Sequence, residues 1–266
     1  LLLDDLSMHD KDSILAALDL HENIEVRLYN PSRGRQNSFK RGMEMLLRFF
    51  TLNRRMHNKA WIADSRLAIV GGRNIGDEYF GASSASDYFD VDLFVCGPAV
   101  NEANTIFDSF WNSDAVIPLQ ALVKAEPGSL EKMRSDSQDG MLIIKAAEPY
   151  LQRLKKSASV TDLMHGKSGF HWTKDIHIYS DPPEKAYDRN RGQWLVYKLM
   201  SAWAAAEHQM YLISPYYVPG VAGMGELKKL RDRQVEVSIL TNPPAATDVL
   251  QVPGSYPHLT LPTQRI

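Results

Sequence analysis

The chain has 266 residues, of which 44% are hydrophobic and 23% are charged. This is the composition of a globular protein, and it excludes collagen-like, coiled-coil and wholly disordered chains. The chain has 30 basic and 32 acidic residues, which give a net charge of −2. It therefore lacks the excess of positive charge that is typical of a general nucleic-acid binder. Cys96 is the single cysteine, so an internal disulfide and a cysteine-based zinc site are excluded.

The predicted elements alternate between strands and helices. Residues 24–29 have period two and predict a strand that ends at Asn30 and Pro31. Apolar residues at helical spacing predict a helix over 39–50, with basic side chains on its other faces. This alternation, which predicts an α/β layered fold, continues with strands 60–62 and 67–70 around a turn at 64–66, strand 91–96, helix 100–111, helix 194–208, strand 210–214, helix 224–233 and strand 235–240.

Between about 113 and 183 the pattern loosens into polar stretches, which predicts a partly ordered connection between two domains. This region contains His165, His171 and His177, spaced six apart, so an extended strand would place all three on one side. Glycines and prolines interrupt the region and no carboxylate pattern accompanies the histidines. We therefore favour ordinary loop or strand histidines over a metal cluster.

Charge is distributed in two blocks. Residues 40–73 contain eight basic and two acidic residues, and residues 77–114 contain eight acidic residues and no lysine or arginine. Charge blocks are usually solvated faces, and this is our interpretation of the acidic block. The basic block differs because it surrounds a motif that can use an anion.

That motif is H-x-K-x4-D-x6-G-G-x-N, which begins at His57 and ends at Asn74. On a strand, His57 and Lys59 point to the same face. An imidazole beside a fixed ammonium suits attack on a phosphate, since the histidine supplies the nucleophile and the lysine neutralises phosphoryl oxygens. Gly71 and Gly72 let the backbone approach an anion closely, and Asn74 can donate a further hydrogen bond.

The segment from 53 to 64, followed by 71–80, resembles the HKD motif of the phospholipase D superfamily, in particular that of bacterial cardiolipin synthases of the C-type branch. Residues 211–220 resemble the first strand of that family's second domain, and the similarity covers most of 1–249. The resemblance implies a layered sandwich of a mixed sheet with helices on both faces. It further implies a nearly complete first domain and the start of a similar second one.

The resemblance also implies a role for each site residue. His57 is the nucleophile, or else the acid that protonates the leaving group, and Lys59 and Asn74 hold the phosphate. Asp64 fixes local geometry. A carboxylate on the strand before a Gly-Pro turn orients the histidine; Asp90 is our candidate and Asp92 the competitor. No metal or other cofactor is expected.

The expected domains are a first phospholipase D-like domain over 1–120, a connection over 121–183, the start of a second domain over 184–249, and an atypical, possibly foreign tail over 250–266. An internal comparison aligns the strand at 1–5 with 238–242, which places a second motif histidine near position 294. The sequence ends at Ile266 and does not begin with Met. We therefore expect a fragment with only the first motif, nearly inert by itself.

The resemblance implies phosphatidyl transfer between phospholipids, which forms cardiolipin through a phosphohistidine. Expected partners are phospholipids with anionic headgroups, a membrane surface and a second HKD half, but no nucleic acid. The expected location is the bacterial cell membrane, where the protein is peripheral or anchored through a segment outside this chain; no run of 18 apolar residues predicts a span. The alternatives are a phospholipase D-like phosphodiesterase or nuclease, and an inactive lipid-binding fragment.

Overall fold

The structure is a computed structural model, which describes residues 1–5, 8–32, 55–80, 88–138, 141–157, 171–215 and 219–241, together with residues 162, 165, 167 and 217. The helix predicted over 39–50 and the predicted tail over 250–266 lie outside these residues. The chain divides into two compact units, 1–191 and 192–266. Strands and helices alternate in both, so the predicted α/β class is confirmed.

Short strands and longer helices build the described part of the first unit. The strands are β1 (Leu2–Asp4), β2 (Arg27–Tyr29), β3 (Lys59–Ala63), β4 (Leu67–Gly71), β5 (Asp92–Cys96) and β6 (Val116–Pro118). The helices are α1 (Asp12–Leu18), α2 (Ala99–Trp111), α3 (Ser129–Gln138) and α4 (Met141–Lys156). Single 3-10 turns lie at His9–Lys11, Asp77–Tyr79, Leu119–Ala121 and Pro183–Tyr187, and another at Arg191–Gln193 spans the boundary between the units.

The strands of the first unit form two three-stranded sheets. In one sheet β2 is central, parallel to β1 and antiparallel to β6. In the other, β4 is central and antiparallel to both β3 and β5, so that Ile62, Ala68 and Val95 form one row across the sheet. The first unit is therefore built from a mixed sheet and an antiparallel sheet.

Helix α2 packs on one face of the antiparallel sheet. The small or branched side chains Ala68 and Val95 pack there with Val100 and Ala103 of the helix. Further along α2, Phe110 packs against Tyr29 of the mixed sheet, with ring centroids 5.4 Å apart. Because one helix contacts both sheets, their positions are coupled through a shared apolar core.

The first predicted strand is shorter in the structure than in the sequence pattern, since β2 starts at Arg27 instead of 24. The backbone N–H of Val26 donates to Oδ1 of Asp19 at 2.7 Å, and its carbonyl accepts from the N–H of Leu119 at 2.9 Å. These two bonds occupy the backbone groups of Val26 before the ladder with β1 begins.

The predicted connection contains regular structure that the sequence pattern did not predict. Helices α3 and α4 lie within 121–183, and α3 has only Leu130 and Met133 as large apolar residues. A helix without an apolar stripe gives no periodicity signal. The segment at 176–178 also packs against α2 through Ile176 and Ile178.

The second unit has a two-stranded parallel sheet in its described part. Its elements are α5 (Leu195–Ala204), β7 (Gln209–Ile213), α6 (Gly220–Asp232) and β8 (Glu236–Leu240). The core contains Tyr217, Leu227, Leu230 and Val235. Helix α5 is shorter than predicted, because the chain turns after Ala204 toward β7. In the described residues, no helix combines the length and apolarity that crossing a bilayer requires.

Candidate active site

The motif segment, residues 57–74, is folded around the antiparallel hairpin of β3 and β4. Lys59 lies opposite Gly71 at one end of this hairpin, which we call the open end. The chain reverses at the other end, which we call the turn end, over 64–66. His57 lies two residues before Lys59, just outside β3, and the contact between the two side chains places His57 at the open end as well.

Strand β5 adds carboxylates to the open end. Asp92 lies opposite Gly71, so that Lys59, Gly71 and Asp92 form one row across three strands. Asp90 lies two residues before Asp92, just outside β5, and its carboxylate acts electrostatically on both His57 and Lys59. The candidate acid that shares a row with Lys59 is therefore Asp92, whereas Asp90 lies in the segment just before this strand.

His57 and Lys59 are in direct contact. The Nζ of Lys59 lies 3.0 Å from Nδ1 of His57 and donates to the His57 carbonyl at 3.0 Å. Local desolvation of the ring lowers the pKa of His57, and the positive charges of Lys59 and Arg55 lower it further. The imidazole therefore favours its neutral form, which has the lone pair that a nucleophile needs.

Burial also lowers the pKa of the Lys59 ammonium, and Arg55 adds to this effect, whereas the negative charge of Asp90 opposes it. Asp90 likewise opposes the lowering of the His57 pKa, although Nδ1 of His57 pairs with Lys59 and not with an Asp90 oxygen in this structure. The structure thus places Asp90 within electrostatic reach of both groups. The orienting role of Asp90 stays a prediction.

Asp92 has a different environment from Asp90. Its Oδ2 accepts from Nε of Arg73 at 2.8 Å, and its Oδ1 accepts from the Arg73 backbone N–H at 3.3 Å. Arg73 also donates to the carbonyl of Asp90 at 3.1 Å and to the carbonyl of Tyr79. Arg73 therefore ties the loop after β4 to β5, and the Asp92 carboxylate is occupied by this ion pair.

Gly71 and Gly72 leave room for these two carboxylates. A Cβ at Gly71 would lie 2.1 Å from Oδ1 of Asp92, and one at Gly72 would lie 2.0 Å from Oδ1 of Asp90. Real Cβ atoms do not tolerate such distances, so a side chain at either position would displace an acid. In this structure the space above Gly71 is filled by the Asp92 carboxylate, and the space above Gly72 by the Asp90 carboxylate.

Asn74 lies in the loop that follows β4, and its side chain is held by Tyr79. The Nδ2 of Asn74 donates to the Tyr79 hydroxyl at 2.8 Å. The Tyr79 ring in turn packs edge-on against Tyr88, with centroids 5.3 Å apart. These contacts fix the amide on the loop that also carries Arg73.

Asp64 lies at the turn end, separated from Lys59 by the length of β3. At about 3.3 Å per residue, five residues span about 16 Å. Asp64 and Ser65 have φ values of 52° and 54°, and the N–H of Arg66 donates to the Ala63 carbonyl at 3.0 Å. Positive φ at both central residues is the pattern of a type I′ turn, in which aspartate is favoured. The structure thus gives Asp64 a place in the turn, away from His57.

Three residues of the site were not singled out in the sequence. They are Asp4, whose carboxylate binds the chain just before His57, together with Arg73 and Tyr79. In the sequence, Arg73 could have been noticed only because it follows the glycine pair within the motif, and Tyr79 only because it lies shortly after the motif. Asp4 gave no local signal, since 52 residues separate it from Met56.

The three spaced histidines do not come together in the structure. The Nδ1 of His177 lies 3.0 Å from Oε1 of Glu102, and the N–H of Ile178 donates to Oε2 of the same carboxylate at 2.6 Å. These bonds lower the pKa of Glu102. Across the described ranges no group of three His, Cys, Asp or Glu side chains could hold a metal ion.

Comparison with known proteins identifies relatives with named activities. The chain is 34% identical to cardiolipin synthase C of Escherichia coli (strain K12) over 260 residues, which are 96% of the chain and 53% of that relative. It is 29% identical to an uncharacterized protein of Helicobacter pylori (strain J99) over 269 residues, 96% of the chain and 50% of the relative. It is 24% identical to a cardiolipin synthase of Staphylococcus aureus (strain Mu50) over 190 residues, 71% of the chain and 30% of the relative.

These similarities confirm the predicted resemblance to bacterial cardiolipin synthases. It spans about half the length of the first two relatives. No protein-family model matches the chain.

Proposed function

We propose that this chain contributes one half-site for phosphatidyl transfer between phospholipids, the reaction that forms cardiolipin. The observation that carries the proposal is the contact of His57 with Lys59, with Asp92 in the same row of the sheet and Asp90 within electrostatic reach of both groups. A neutral imidazole beside a cation is suited to attack on a phosphodiester. The names of the Escherichia coli and Staphylococcus aureus relatives support the substrate class.

In the proposed reaction, a ring nitrogen of His57 attacks the phosphorus of a donor phospholipid. An N–P bond forms, the P–O bond to the donor's headgroup alcohol breaks, and the departing oxygen takes a proton from a second acid. The hydroxyl of an acceptor lipid then attacks phosphorus and gives its proton to the conjugate base of that second acid. A new P–O bond forms, the N–P bond breaks, and the free imidazole is restored. Lys59 stabilises the charge on the phosphoryl oxygens in both steps, without a metal ion.

Asp90 is proposed to orient His57, with Gly71, Gly72 and Asn74 around the phosphate. For this role the Nδ1 of His57 must exchange Lys59 for Asp90 when substrate arrives, because a carboxylate on one ring nitrogen leaves the other nitrogen with the lone pair. Lys59 is then free to contact the phosphate. Asp64 is proposed to act through the turn of the hairpin.

The second acid is proposed to come from a second, similar half. The first two relatives are about twice as long as this chain, which is consistent with two halves around one site. We further propose that the first unit has the layered phospholipase D-like architecture and that residues from about 184 begin a similar second domain. By itself the chain is proposed to be nearly inert.

A membrane surface is the proposed partner, with the protein peripheral to or anchored at the bacterial cell membrane. Large apolar side chains next to the candidate site face solvent: Ile75 is 78% exposed and Phe89 is 98% exposed. Exposed apolar residues beside a polar site are typical of surfaces that contact lipid or protein.

The test compares lipid with nucleic acid as substrate for the complete protein. Vesicles of phosphatidylglycerol and phosphatidylethanolamine should yield cardiolipin, and a labelled oligonucleotide should remain intact. A covalent phosphatidyl adduct should form, and it should be absent from His57→Asn. Oligonucleotide cleavage without cardiolipin formation would instead favour the phosphodiesterase alternative.

A further inference from the structure

The last residue of β1 is bonded to the chain immediately before His57. Oδ1 of Asp4 accepts from Nε of Arg55 at 3.0 Å and from Nη2 of Arg55 at 2.8 Å. Oδ2 accepts from the backbone N–H of Met56 at 2.9 Å. The Asp4 side chain is only 14% exposed, so these charge-assisted bonds are largely shielded from solvent.

Both partners of this contact are anchored in the first unit. Asp4 pairs with Tyr29 in the ladder between β1 and β2. The Met56 side chain packs against the buried cluster that contains Tyr29 and Phe110. The backbone before His57 is therefore held by a carboxylate and by an apolar core. Because this backbone is fixed, the position of the His57 Cα, from which the imidazole extends, is fixed as well.

The same contact sets the charge around His57. Within the described part of the chain, the charged groups that act on the imidazole are Lys59, Arg55, Asp4 and Asp90. Arg55 lowers the pKa values of both His57 and Lys59, and Asp4 opposes it in both cases. Since Asp4 binds the Arg55 guanidinium directly, its carboxylate balances a cation that lies two residues before the motif histidine.

We propose that Asp4 is a positioning residue for His57, which fixes the backbone at Arg55 and Met56 and balances the Arg55 charge. The consequence for turnover rests on the proposed function. The effect on His57 itself is a property of the folded chain and is measured without substrate.

The experiment follows the titration of His57 by NMR in the purified chain labelled at histidine, with His57→Asn used to assign the resonance. In Asp4→Asn one side-chain oxygen is retained but the negative charge is lost. The midpoint of His57 should fall by about half a pH unit or more, because the negative charge of Asp4 no longer opposes the effect of Arg55. Arg55→Gln should move the midpoint upward, and it gives a second test if Asp4→Asn does not fold.

The matched control is Asp19→Asn. Asp19 is 8% exposed and also accepts a backbone N–H, that of Val26, but it does not act on His57. It should change thermal stability and leave the His57 midpoint in place. Equal midpoints in the wild-type chain, Asp4→Asn and Arg55→Gln would overturn the proposal.

A second measurement, on the complete protein, separates this inference from the proposed function. Asp4→Ala should lower kcat/KM for phosphatidyl transfer by about tenfold or more. Asp19→Ala should not lower it when both variants are assayed at a temperature at which they are fully folded. If the wild type transfers no phosphatidyl group but the His57 midpoint responds as expected, the positioning role stands and the function fails. If transfer depends on His57, but Asp4→Ala leaves kcat/KM unchanged and Asp4→Asn leaves the His57 midpoint unchanged, the function stands and the positioning role fails.

Discussion

The two ends of the β3–β4 hairpin differ in what their side chains do. At the open end Lys59 contacts His57, and Asp92 of the next strand lies in the same row. At the turn end Asp64 and Ser65 adopt positive φ, and a backbone bond closes the turn. A motif that is continuous in sequence therefore has its candidate catalytic residues, His57 and Lys59, at one end of the hairpin. Its aspartate, Asp64, lies in the turn at the other end. Substitutions at the two ends should separate activity from stability.

The largest expected effect is at the open end, at His57. In the complete protein His57→Asn should lower kcat for phosphatidyl transfer by about a thousandfold or more, because no neighbouring group can form the N–P bond. His57 is exposed, so the thermal unfolding midpoint should remain close to that of the wild type. A variant that retained more than a few per cent of wild-type transfer would contradict the assignment.

Lys59 should show the next largest effect. Loss of one charge-stabilising donor typically lowers kcat by about a hundred- to a thousandfold, and this is expected for Lys59→Ala. Arg66→Ala at the turn end is the matched control, since it also removes an exposed cation from the same hairpin. Its kcat should stay within about twofold of wild type. Equal losses in the two variants would show that only the net charge of the hairpin matters.

Asp90 and Asp92 should respond differently, although they are two residues apart. Asp90→Asn should lower kcat by on the order of a hundredfold with little change in stability, since a carboxylate that orients the histidine is lost. Asp92→Asn removes the partner of Arg73 and should lower the free energy of unfolding by about 1–2 kcal/mol. Steady-state kinetics and urea unfolding of both variants test the pair. The opposite pattern would make Asp92 the orienting acid.

The smallest effect on chemistry is expected at the turn end. Asp64→Val places a β-branched residue at a φ of 52° and should destabilise the fold by about 1–2 kcal/mol. Asp64→Asn tolerates the same backbone conformation and should change stability by less than about half a kcal/mol. The kcat per folded molecule should be unchanged in both. A large loss of kcat in well-folded Asp64→Asn would place Asp64 in the chemistry.

The hairpin could be predicted from the sequence because its information is local. His57 and Lys59 are two residues apart on a strand, and a turn-like segment separates two apolar runs. The environment of His57 could not be predicted in this way. Asp4 reaches Met56 only because the fold brings together residues 52 apart in the chain, and α3 carries no apolar stripe that would reveal a helix.

The role of the glycines illustrates the same limit. The sequence predicts that Gly71 and Gly72 allow an anion to approach the backbone. In the structure the groups above them are carboxylates of the same chain, from Asp92 and Asp90. A pattern can indicate that space is needed, but the occupant depends on which strand lies alongside.

Because the Asp90 carboxylate lies directly above Gly72, which substitutions are tolerated at position 72 depends on the residue at position 90. While the acid is present, a methyl group at position 72 meets its oxygen at 2.0 Å, so selection that preserves Asp90 also preserves the glycine. A duplicated copy that lost the acid would release this constraint, and position 72 would drift. Gly72→Ala should therefore be harmful in the wild-type background and nearly neutral beside Asp90→Ala. This non-additivity would make the glycine a marker of whether the acid across the strand is still under selection.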